Sequence, residues 1–410
     1  MQPLKIVIHG DFWDCQIYRG RFYLWTMNGT LLIYDWDEFI ESLITEEYQR
    51  LPIECAFNHG DYLYNNLFYS ILHDNEIKDL LVHKFLNISE LQYEFDIKSL
   101  EDYLYGKQDN PFKELPTDTE IYYNKLYALL ENGMWASTSH RFNRKYPVST
   151  KPKKLTDCSL LSLKAKGNRI ALSGGSEGLL EYHIEQGYSV YDDYYNSSFK
   201  KVDNELFLIS QNHSLFSDWS FSSIYSSSDI ADSFMAAFNW VSKNDHEEKE
   251  LIGKIIGQES IFKTNGLQTI SWGSNDKIYR GNNNGLDIVR FTQKYIGGDE
   301  EEFAFSDVKH IPFHAWKGQI IGGGVAFYGT IVECENALVI IQSDGNIYNI
   351  VGPVTKWRIY PRSIRYENHL HVILNDRIEI YSFNNDYFVD QNAKDIGMKY
   401  RKNYYKNKYS

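Results

Sequence analysis

Seven segments of this 410-residue chain share one layout, in which two turn-forming positions about nine residues apart enclose a short apolar run. In the first segment, Gly20 and Gly29 enclose such a run. The other six pairs are Asn124 and Gly133, Asn168 and Gly178, Asn204 and His213, Asp276 and Gly285, Asn336 and Gly345, and Asn368 and Asp376. This repeat has to be recognised before any site, because it constrains the architecture of the whole chain.

The second turn of each segment favours a tight β-hairpin. Four of the seven are Asn-Gly or Asp-Gly, a dipeptide whose residues adopt positive φ at little cost. The remaining three are Glu177-Gly178, Asn212-His213 and Asn375-Asp376. The runs between the turns alternate with period two, as with Phe22 and Leu24, which indicates strands rather than helices. We therefore predict an all-β fold, a seven-bladed β-propeller in which each segment is the middle hairpin of one blade.

The spacing of the repeats predicts one propeller domain over residues 1–390. Successive second turns are 104, 45, 35, 72, 60 and 31 residues apart, and a four-stranded blade needs roughly 40 residues. A β-sandwich, or two separate β-domains with frequent Asn-Gly turns, is the alternative. The segment Lys5–His9 either completes the blade formed by residues 357–383 or takes no part in closing the ring.

The long gaps predict two helical insertions. The first, residues 37–110, begins at Asp37 as a possible N-cap, with apolar residues at helical spacing around 66–71, 76–86 and 88–104. The second, residues 222–258, has apolar residues at helical spacing over residues 230–241. Insertions in repeat proteins form loops that often carry function, so we expect partner contacts there.

Composition excludes several classes of protein. The net charge is −13, which argues against non-specific nucleic-acid binding. The cysteines Cys15, Cys55, Cys158 and Cys334 are scattered, so neither a zinc ribbon nor a disulfide framework is indicated. The sequence shows no signal-peptide pattern and no run near the roughly 18 apolar residues of a membrane span. We expect a cytoplasmic protein without membrane association.

The motifs that suggest chemistry are better explained as structure. The glycine-rich run Leu172–Leu180 looks like a phosphate loop, but it occupies a hairpin turn rather than the start of a helix. His310 and His314 have the spacing of paired metal ligands, but a proline lies between them. His369 and His371 share one face of a predicted strand, which is typical of packing. The sequence therefore identifies no catalytic residue, cofactor-binding residue or metal ligand, and no cofactor is expected.

Residues 391–410 form a basic, tyrosine-rich C-terminal tail. Between Met398 and Ser410 there is no acidic side chain, and the basic residues are Lys399, Arg401, Lys402, Lys406 and Lys408. Basic side chains interleaved with tyrosines suit a nucleic-acid backbone with base stacking. The alternatives are a solvated tail or one that docks on the acidic surface of the protein itself.

Trp-Asp and Asp-Trp dipeptides occur at Trp13-Asp14, Asp35-Trp36, Trp36-Asp37 and Asp218-Trp219. They loosely resemble the signature of WD-repeat propellers, although the accompanying Gly-His dipeptide is absent, so the resemblance is architectural and names no specific family. It implies a module that holds other proteins, including in bacterial regulatory or defence complexes. We therefore favour a non-catalytic interaction scaffold or regulatory subunit that binds protein partners through its rim and inserted helices. The alternatives are a hydrolase or small-ligand binder using the channel mouth, and a nucleic-acid-associated subunit using the tail.

Overall fold

A computed structural model provides the structure of the protein. The residues that it describes are 2–64, 68–91, 93–140, 143–166, 169–173, 179–184, 199–201, 213–219, 222–228, 233–243, 246–251, 256–264, 270–274, 277–282, 284–296, 300–312, 319–361, 363–390 and 393–398. They divide into two compact units. Unit 1 comprises residues 1–115, 139–150 and 324–410, and unit 2 comprises residues 116–138 and 151–323.

Strands predominate throughout. In chain order they are β1 Leu4–His9, β2 Phe12–Tyr18, β3 Arg21–Thr26, β4 Thr30–Asp35, β5 Tyr93–Asp96, β6 Leu104–Asp109, β7 Asp118–Tyr122, β8 Lys125–Leu130, β9 Gly133–Thr138, β10 Lys153–Lys154, β11 Ser162–Lys166, β12 Arg169–Ser173, β13 Leu179–His183, β14 Phe199–Lys201, β15 His213–Trp219, β16 Ser222–Ser228, β17 Ser233–Lys243, β18 His246–Leu251, β19 Ile256–Gly257, β20 Ile270–Ser274, β21 Lys277–Asn282, β22 Gly285–Ile296, β23 Glu300–Phe305, β24 Lys309–Pro312, β25 Ile320–Ala326, β26 Gly329–Cys334, β27 Ala337–Gln342, β28 Ile347–Val351, β29 Lys356–Ile359, β30 His369–Ile373 and β31 Arg377–Ser382. The helices are α1 Trp36–Ser42, α2 Glu47–Phe57, α3 Tyr69–Leu72, α4 Asn75–Ser89 and α5 Gln258–Phe262, with 3-10 segments at Gly60–Tyr64, Ile97–Tyr103 and Asn385–Phe388.

The strands of the described residues form seven sheets of four or five strands each. Most sheets are antiparallel meanders in which strands adjacent in sequence are hydrogen-bonded neighbours, which is the layout of a propeller blade. The fold is therefore all-β and of the propeller type, as the turn repeat predicts. How the seven sheets are arranged around one axis stays a prediction.

Six of the seven predicted hairpin strands are confirmed. They are β3, β8, β12, β21, β27 and β30, and each lies between two partner strands of its sheet. The turns that follow β3 and β27 contain Gly29 and Gly345, whose φ values of 80° and 86° lie in the left-handed region that glycine adopts without steric cost. Local turn chemistry therefore located these hairpins correctly.

The prediction for the fourth hairpin stays a prediction. Residues 204–212, where its strand was expected, lie outside the described part of the chain, and among the described strands β15, which begins at His213, is the first of its sheet. The two inner strands are β16 and β17. Because β16 is rich in serine, it lacks the apolar alternation that marks the other inner strands.

The second helical insertion, residues 222–258, is also corrected by the structure. The expected helix over residues 230–241 is largely strand β17, which pairs with β16 on one side and with β18 on the other. Phe234, Ala237, Phe238 and Val241 fit helical spacing in the sequence, but hydrogen bonding along both edges selects the extended conformation. Pairing with the neighbouring strands here overrides the helical spacing of the apolar residues.

The first insertion, residues 37–110, contains helices but differs from expectation in two places. Helix α1 begins two residues earlier than expected, because Asp35 rather than Asp37 is its N-cap and accepts a hydrogen bond from the Glu38 backbone at 3.2 Å. The helix expected over residues 88–104 is instead the end of α4, then β5 and a 3-10 segment. The insertion ends at β6, which pairs with β4 as the fourth strand of the first sheet.

The two ends of the chain meet in one sheet. Strand β1 pairs antiparallel with β31, with Ile6 opposite Ile380, and so extends the meander of β29, β30 and β31. Of the two possibilities that the sequence left open, the strand exchange is therefore correct. On its other edge β1 pairs parallel with β5, which adds a strand from the insertion to the same sheet.

Candidate protein-interaction surface

The helices of the insertion share a hydrophobic core with the sheets of unit 1. Helix α4 buries Leu81, Phe85 and Ile88, which follow one another at helical spacing. These side chains belong to the same cluster of buried residues as Ile6 and Ile8 of β1. Burial of a side chain of this size is worth about 1.5–3 kcal/mol. The inserted helices are therefore packed onto the sheets and not loosely tethered.

Buried and partly buried polar contacts fix the C-terminal end of α2 against the segment before β30. The carbonyl of Ala56 accepts hydrogen bonds from Asn368 Nδ2 at 2.9 Å and from His369 Nε2 at 3.0 Å. Arg365 donates to the carbonyl of Asn58 at 2.8 Å and to the Asp37 carboxylate at 2.7 Å. These contacts satisfy carbonyls that the helix end leaves without intrahelical partners.

His369 and His371 form a hydrogen-bonded pair in the core. Both are fully buried, and His369 Nδ1 lies 3.2 Å from His371 Nε2. Because His369 Nε2 donates to Ala56, His369 Nδ1 accepts from His371. His371 Nδ1 then accepts from the hydroxyl of Tyr360 at 3.2 Å. Burial lowers the pKa of His369 to about 3 and that of His371 well below its usual value, so both rings are neutral.

A second buried polar cluster lies where the 3-10 segment Gly60–Tyr64 meets the chain after β31. Lys394 is buried and pairs with Asp386 at 2.5 Å, and it also donates to the carbonyls of Phe327 and Met398. Asp386 accepts from the hydroxyl of Tyr64 at 3.2 Å. Burial raises the pKa of Asp386, and burial together with the Asp386 charge raises that of Glu367 well above its usual value.

These two clusters act as structural anchors. Glu367 and Asp386 line a small cavity that has room for about one water molecule, which is too small for an organic substrate. Within the described residues, no three histidine, cysteine, aspartate or glutamate side chains lie close enough to hold a metal ion. His369 and His371 are buried within the core and hydrogen-bonded to each other.

The outer side of the insertion exposes large apolar side chains. Seven of the fourteen such side chains among the described residues lie between residues 48 and 91, and they are Tyr48, Leu51, Phe68, Ile71, Leu80, Leu86 and Leu91. Ile71 and Leu80 are each 55% exposed. A segment with this many exposed large apolar side chains is a candidate for contact with another protein.

The same segment carries most of the negative charge of the chain. Residues 37–110 contain sixteen aspartates and glutamates but five lysines and arginines, a net charge of −11 out of −13 for the whole chain. Thirteen of these acidic residues are exposed, whereas the exposed basic residues are Lys98 and Lys107. We call the exposed acidic and apolar side chains of residues 37–110 the acidic helical surface.

The structure describes only some of the other residues considered in the sequence. Lys399, Arg401, Lys402, Lys406 and Lys408 lie outside the described residues, as do the glycines of the run Leu172–Leu180 and His314. The strands that flank the glycine run, β12 and β13, pair antiparallel, as expected around a hairpin. His310 Nδ1 lies 2.7 Å from Asp287 Oδ1. All four cysteines are unbridged.

The exposed apolar side chains could not be selected from the sequence. On α4, Leu80 and Leu81 are adjacent in the chain, yet Leu81 is buried and Leu80 is half exposed. The excess of acidic over basic residues in 37–110 could have been found from the sequence, because counting charged residues requires no structure. No helix among the described residues is both long and apolar enough to cross a membrane.

No protein-family model matches the chain, and no curated protein matches its sequence. The chain is similar to the solved β-propeller domain of Cps50 (Swd1) from Myceliophteria thermophila, at 7% identity over 91% of this chain and 96% of that one, with a TM-score of 0.47. It is also similar to the N-terminal domain of Nup159, at 10% identity over 91% of this chain and 89% of that one, with a TM-score of 0.40. For apo AztD of Citrobacter koseri the identity is 12%, the coverage 67% and 72%, and the TM-score 0.37. These similarities are too low to bear on function.

Proposed function

We propose that the protein is a non-catalytic interaction scaffold that holds a protein partner on its acidic helical surface. The observation that carries this proposal is the concentration of exposed apolar side chains there. Of the large apolar side chains that are exposed among the described residues, half lie between residues 48 and 91, a segment of 44 residues. Leaving them in water is unfavourable by roughly 25 cal/mol per Å² of apolar surface, which a bound partner would remove.

The rigid mounting of the insertion supports the proposal. Its helices share a buried core with the sheets, and Ala56 is hydrogen-bonded to Asn368 and His369. A surface held in one conformation loses less conformational entropy on binding than a flexible one. A scaffold needs this property, because it has to present the same face to its partner each time.

Affinity purification with matched variants tests the proposal. The protein is purified from its native cells, and co-purifying proteins are quantified for the wild type and for the double variant Leu80→Glu, Leu86→Glu. Both side chains are exposed, so the variant should fold normally. We expect a stoichiometric partner with the wild type and at least a tenfold loss with the variant, because two charges then face the apolar contact.

The matched control is the double variant Ile347→Glu, Val351→Glu, which places charges on exposed apolar positions of β28, outside the insertion. It should retain the partner. If the wild type is recovered alone, or if both double variants lose the partner equally, the acidic helical surface is not the binding site.

A second proposal concerns the C-terminal tail, whose composition favours nucleic-acid contact. The test is retention on single-stranded DNA at low salt, comparing the full chain with one that ends at Met398. If Lys399, Arg401, Lys402, Lys406 and Lys408 make this contact, truncation should abolish retention, because their charges neutralise the phosphates. Unchanged retention of the truncated chain would exclude nucleic-acid binding by the tail.

A further inference from the structure

We infer that the partner of the acidic helical surface binds it through a basic amphipathic segment, with lysine or arginine side chains next to an apolar face. This inference rests on the proposed scaffold function and adds the chemistry of the partner. It follows from the charge of the surface, from the engagement of its few basic residues, and from the placement of acidic beside apolar side chains on one helix.

Three of the five basic residues of the insertion are already engaged within the protein. Arg50 pairs with Glu41 at 2.9 Å, with Glu47 at 3.1 Å and with Glu54 at 3.3 Å, so one guanidinium serves three carboxylates. Most of the exposed carboxylates therefore have no basic side chain of the insertion to balance them. A partner has to bring the compensating positive charge.

The other two engaged lysines make different contacts. Lys84 donates to the carbonyl of Tyr48 at 3.2 Å, which joins α4 to α2. The ammonium of Lys78 lies 5.4 Å from the centre of the Tyr387 ring, a cation–π contact with the chain after β31. Lys84 thus links two helices of the insertion, whereas Lys78 links the insertion to the chain after β31, and both lysines are only partly exposed. They therefore contribute little positive charge to the acidic helical surface.

Acidic and apolar side chains are interleaved on the outer face of α4. Leu80 and Leu86 point away from the face that buries Leu81 and Phe85. At 100° per residue, Glu76, Asp79 and Glu90 lie on the same outer side of the helix. All three are exposed, as an acidic rim around an apolar contact would be.

A basic amphipathic segment matches both features. Its apolar face would cover the exposed leucines, and its lysines or arginines would lie beside the carboxylates. Exposed ion pairs of this kind are each worth about 0.2–1 kcal/mol, so the apolar contact supplies most of the affinity, and the charges select the partner and orient it. A neutral apolar segment would leave the carboxylates partly desolvated and unpaired, at a cost in affinity.

The experiment uses the full chain and three synthetic 18-residue peptides of known sequence. One alternates leucine and lysine at helical spacing, the second has glutamate in place of lysine, and the third has serine in place of leucine. Binding is followed by fluorescence anisotropy at 50 and 300 mM salt. We expect the leucine–lysine peptide to bind at least tenfold more tightly than the other two and to bind more weakly at the higher salt concentration.

Two charge-neutralised proteins locate the contact. The variant Glu76→Gln, Asp79→Asn, Glu90→Gln should weaken binding of the leucine–lysine peptide by about tenfold, which corresponds to three exposed charge pairs. The control Asp11→Asn, Glu131→Gln, Glu259→Gln removes three exposed charges outside the insertion and should bind as the wild type does. Equal losses in the two variants would show attraction to net charge alone and overturn the inference.

Two further outcomes would also overturn it. Equal affinity for the leucine–lysine and serine–lysine peptides would exclude an apolar contact. If a chain that ends at Met398 binds the peptide more tightly, and a peptide of residues 399–410 competes, the occupant is the tail of this chain rather than a partner. The last outcome separates this inference from the scaffold function. If Leu80→Glu, Leu86→Glu loses the partner but the leucine–lysine peptide does not bind the wild type, the scaffold function is supported and the basic amphipathic partner is excluded.

Discussion

Asp14 and Arg358 form a buried ion pair although 344 residues separate them in the chain. Arg358 Nη2 donates to Asp14 Oδ1 at 2.9 Å and to Oδ2 at 2.7 Å, and Arg358 Nε donates to Oδ1 at 3.0 Å. The pair joins β2 of the first sheet to β29 of the last. Together with the pairing of β1 and β31, it connects the beginning of the chain to its end.

Breaking this pair should destabilise the protein strongly. In Arg358→Met the Asp14 carboxylate stays buried, with Lys356 at 3.4 Å as its remaining cationic neighbour. We expect the free energy of unfolding to fall by about 3–5 kcal/mol, measured by urea denaturation. The double variant Asp14→Asn, Arg358→Met should recover part of this loss, since the fully buried carboxylate is then neutralised as well. A loss below about 1 kcal/mol in the single variant would contradict the structure.

The buried histidine pair should make stability depend on pH. His369 has a folded-state pKa of about 3, and that of His371 is also lowered, whereas both titrate near 6.5 in the unfolded chain. Their stabilisation is complete above pH 6.5 and is lost as the pH falls below that value, because the unfolded state then binds protons that the folded state excludes. The slope is about 1.4 kcal/mol per pH unit for each histidine.

The variant His369→Gln isolates this effect. Glu367 and Asp386 have raised pKa values and give the opposite slope where they titrate, so the comparison is between proteins that both contain them. Between pH 5 and 6, the unfolding free energy of His369→Gln should change by about 1.4 kcal/mol per pH unit less than that of the wild type. Ile8→Val, a destabilised control with both histidines, should keep the wild-type slope. If the unfolding free energy had the same slope against pH in all three proteins, His369 would not be buried in its neutral form.

The strand that brings the chain ends together should contribute to stability through its buried face. Ile8 of β1 is fully buried, opposite Ile378 on one side and Phe95 on the other. Ile8→Ala should lower the free energy of unfolding by about 2–5 kcal/mol. Lys5→Ala changes a more exposed position of the same strand, whose contact with Glu379 is long at 3.8 Å, and should cost about 0–1 kcal/mol. Equal effects of the two substitutions would place β1 outside the sheet.

The packing of Gly323 against Trp272 can be tested with a single methyl group. A Cβ at Gly323 would lie 2.3 Å from the nearest atom of the indole ring. Gly323→Ala should therefore cost about 1–3 kcal/mol and change tryptophan fluorescence. Gly257→Ala is the control, because a Cβ there meets nothing within 4 Å. An unchanged stability in Gly323→Ala would mean that the two residues do not touch.

The hairpins could be predicted from the sequence because the conformation of a tight turn depends mainly on the residues that form it. Gly29 and Gly345 adopt positive φ, which glycine does at no steric cost in any tertiary context, and the strands around these turns alternate. The same reasoning failed for β16 and β17, where serine-rich and evenly apolar runs fit more than one conformation. There the choice is made by hydrogen bonds to the strands on either side in the sheet, which the pattern of one segment alone does not reveal.

The sequence by itself determined the all-β class, the position of six inner strands and the concentration of negative charge between residues 37 and 110. Only the tertiary structure decided which apolar side chains of that segment are exposed, that Asp14 meets Arg358, and that β1 pairs with β31. The first group depends on φ preferences and charge, which each residue carries wherever it lies. The second depends on burial and on contacts between residues hundreds of positions apart, which exist only once the chain has folded.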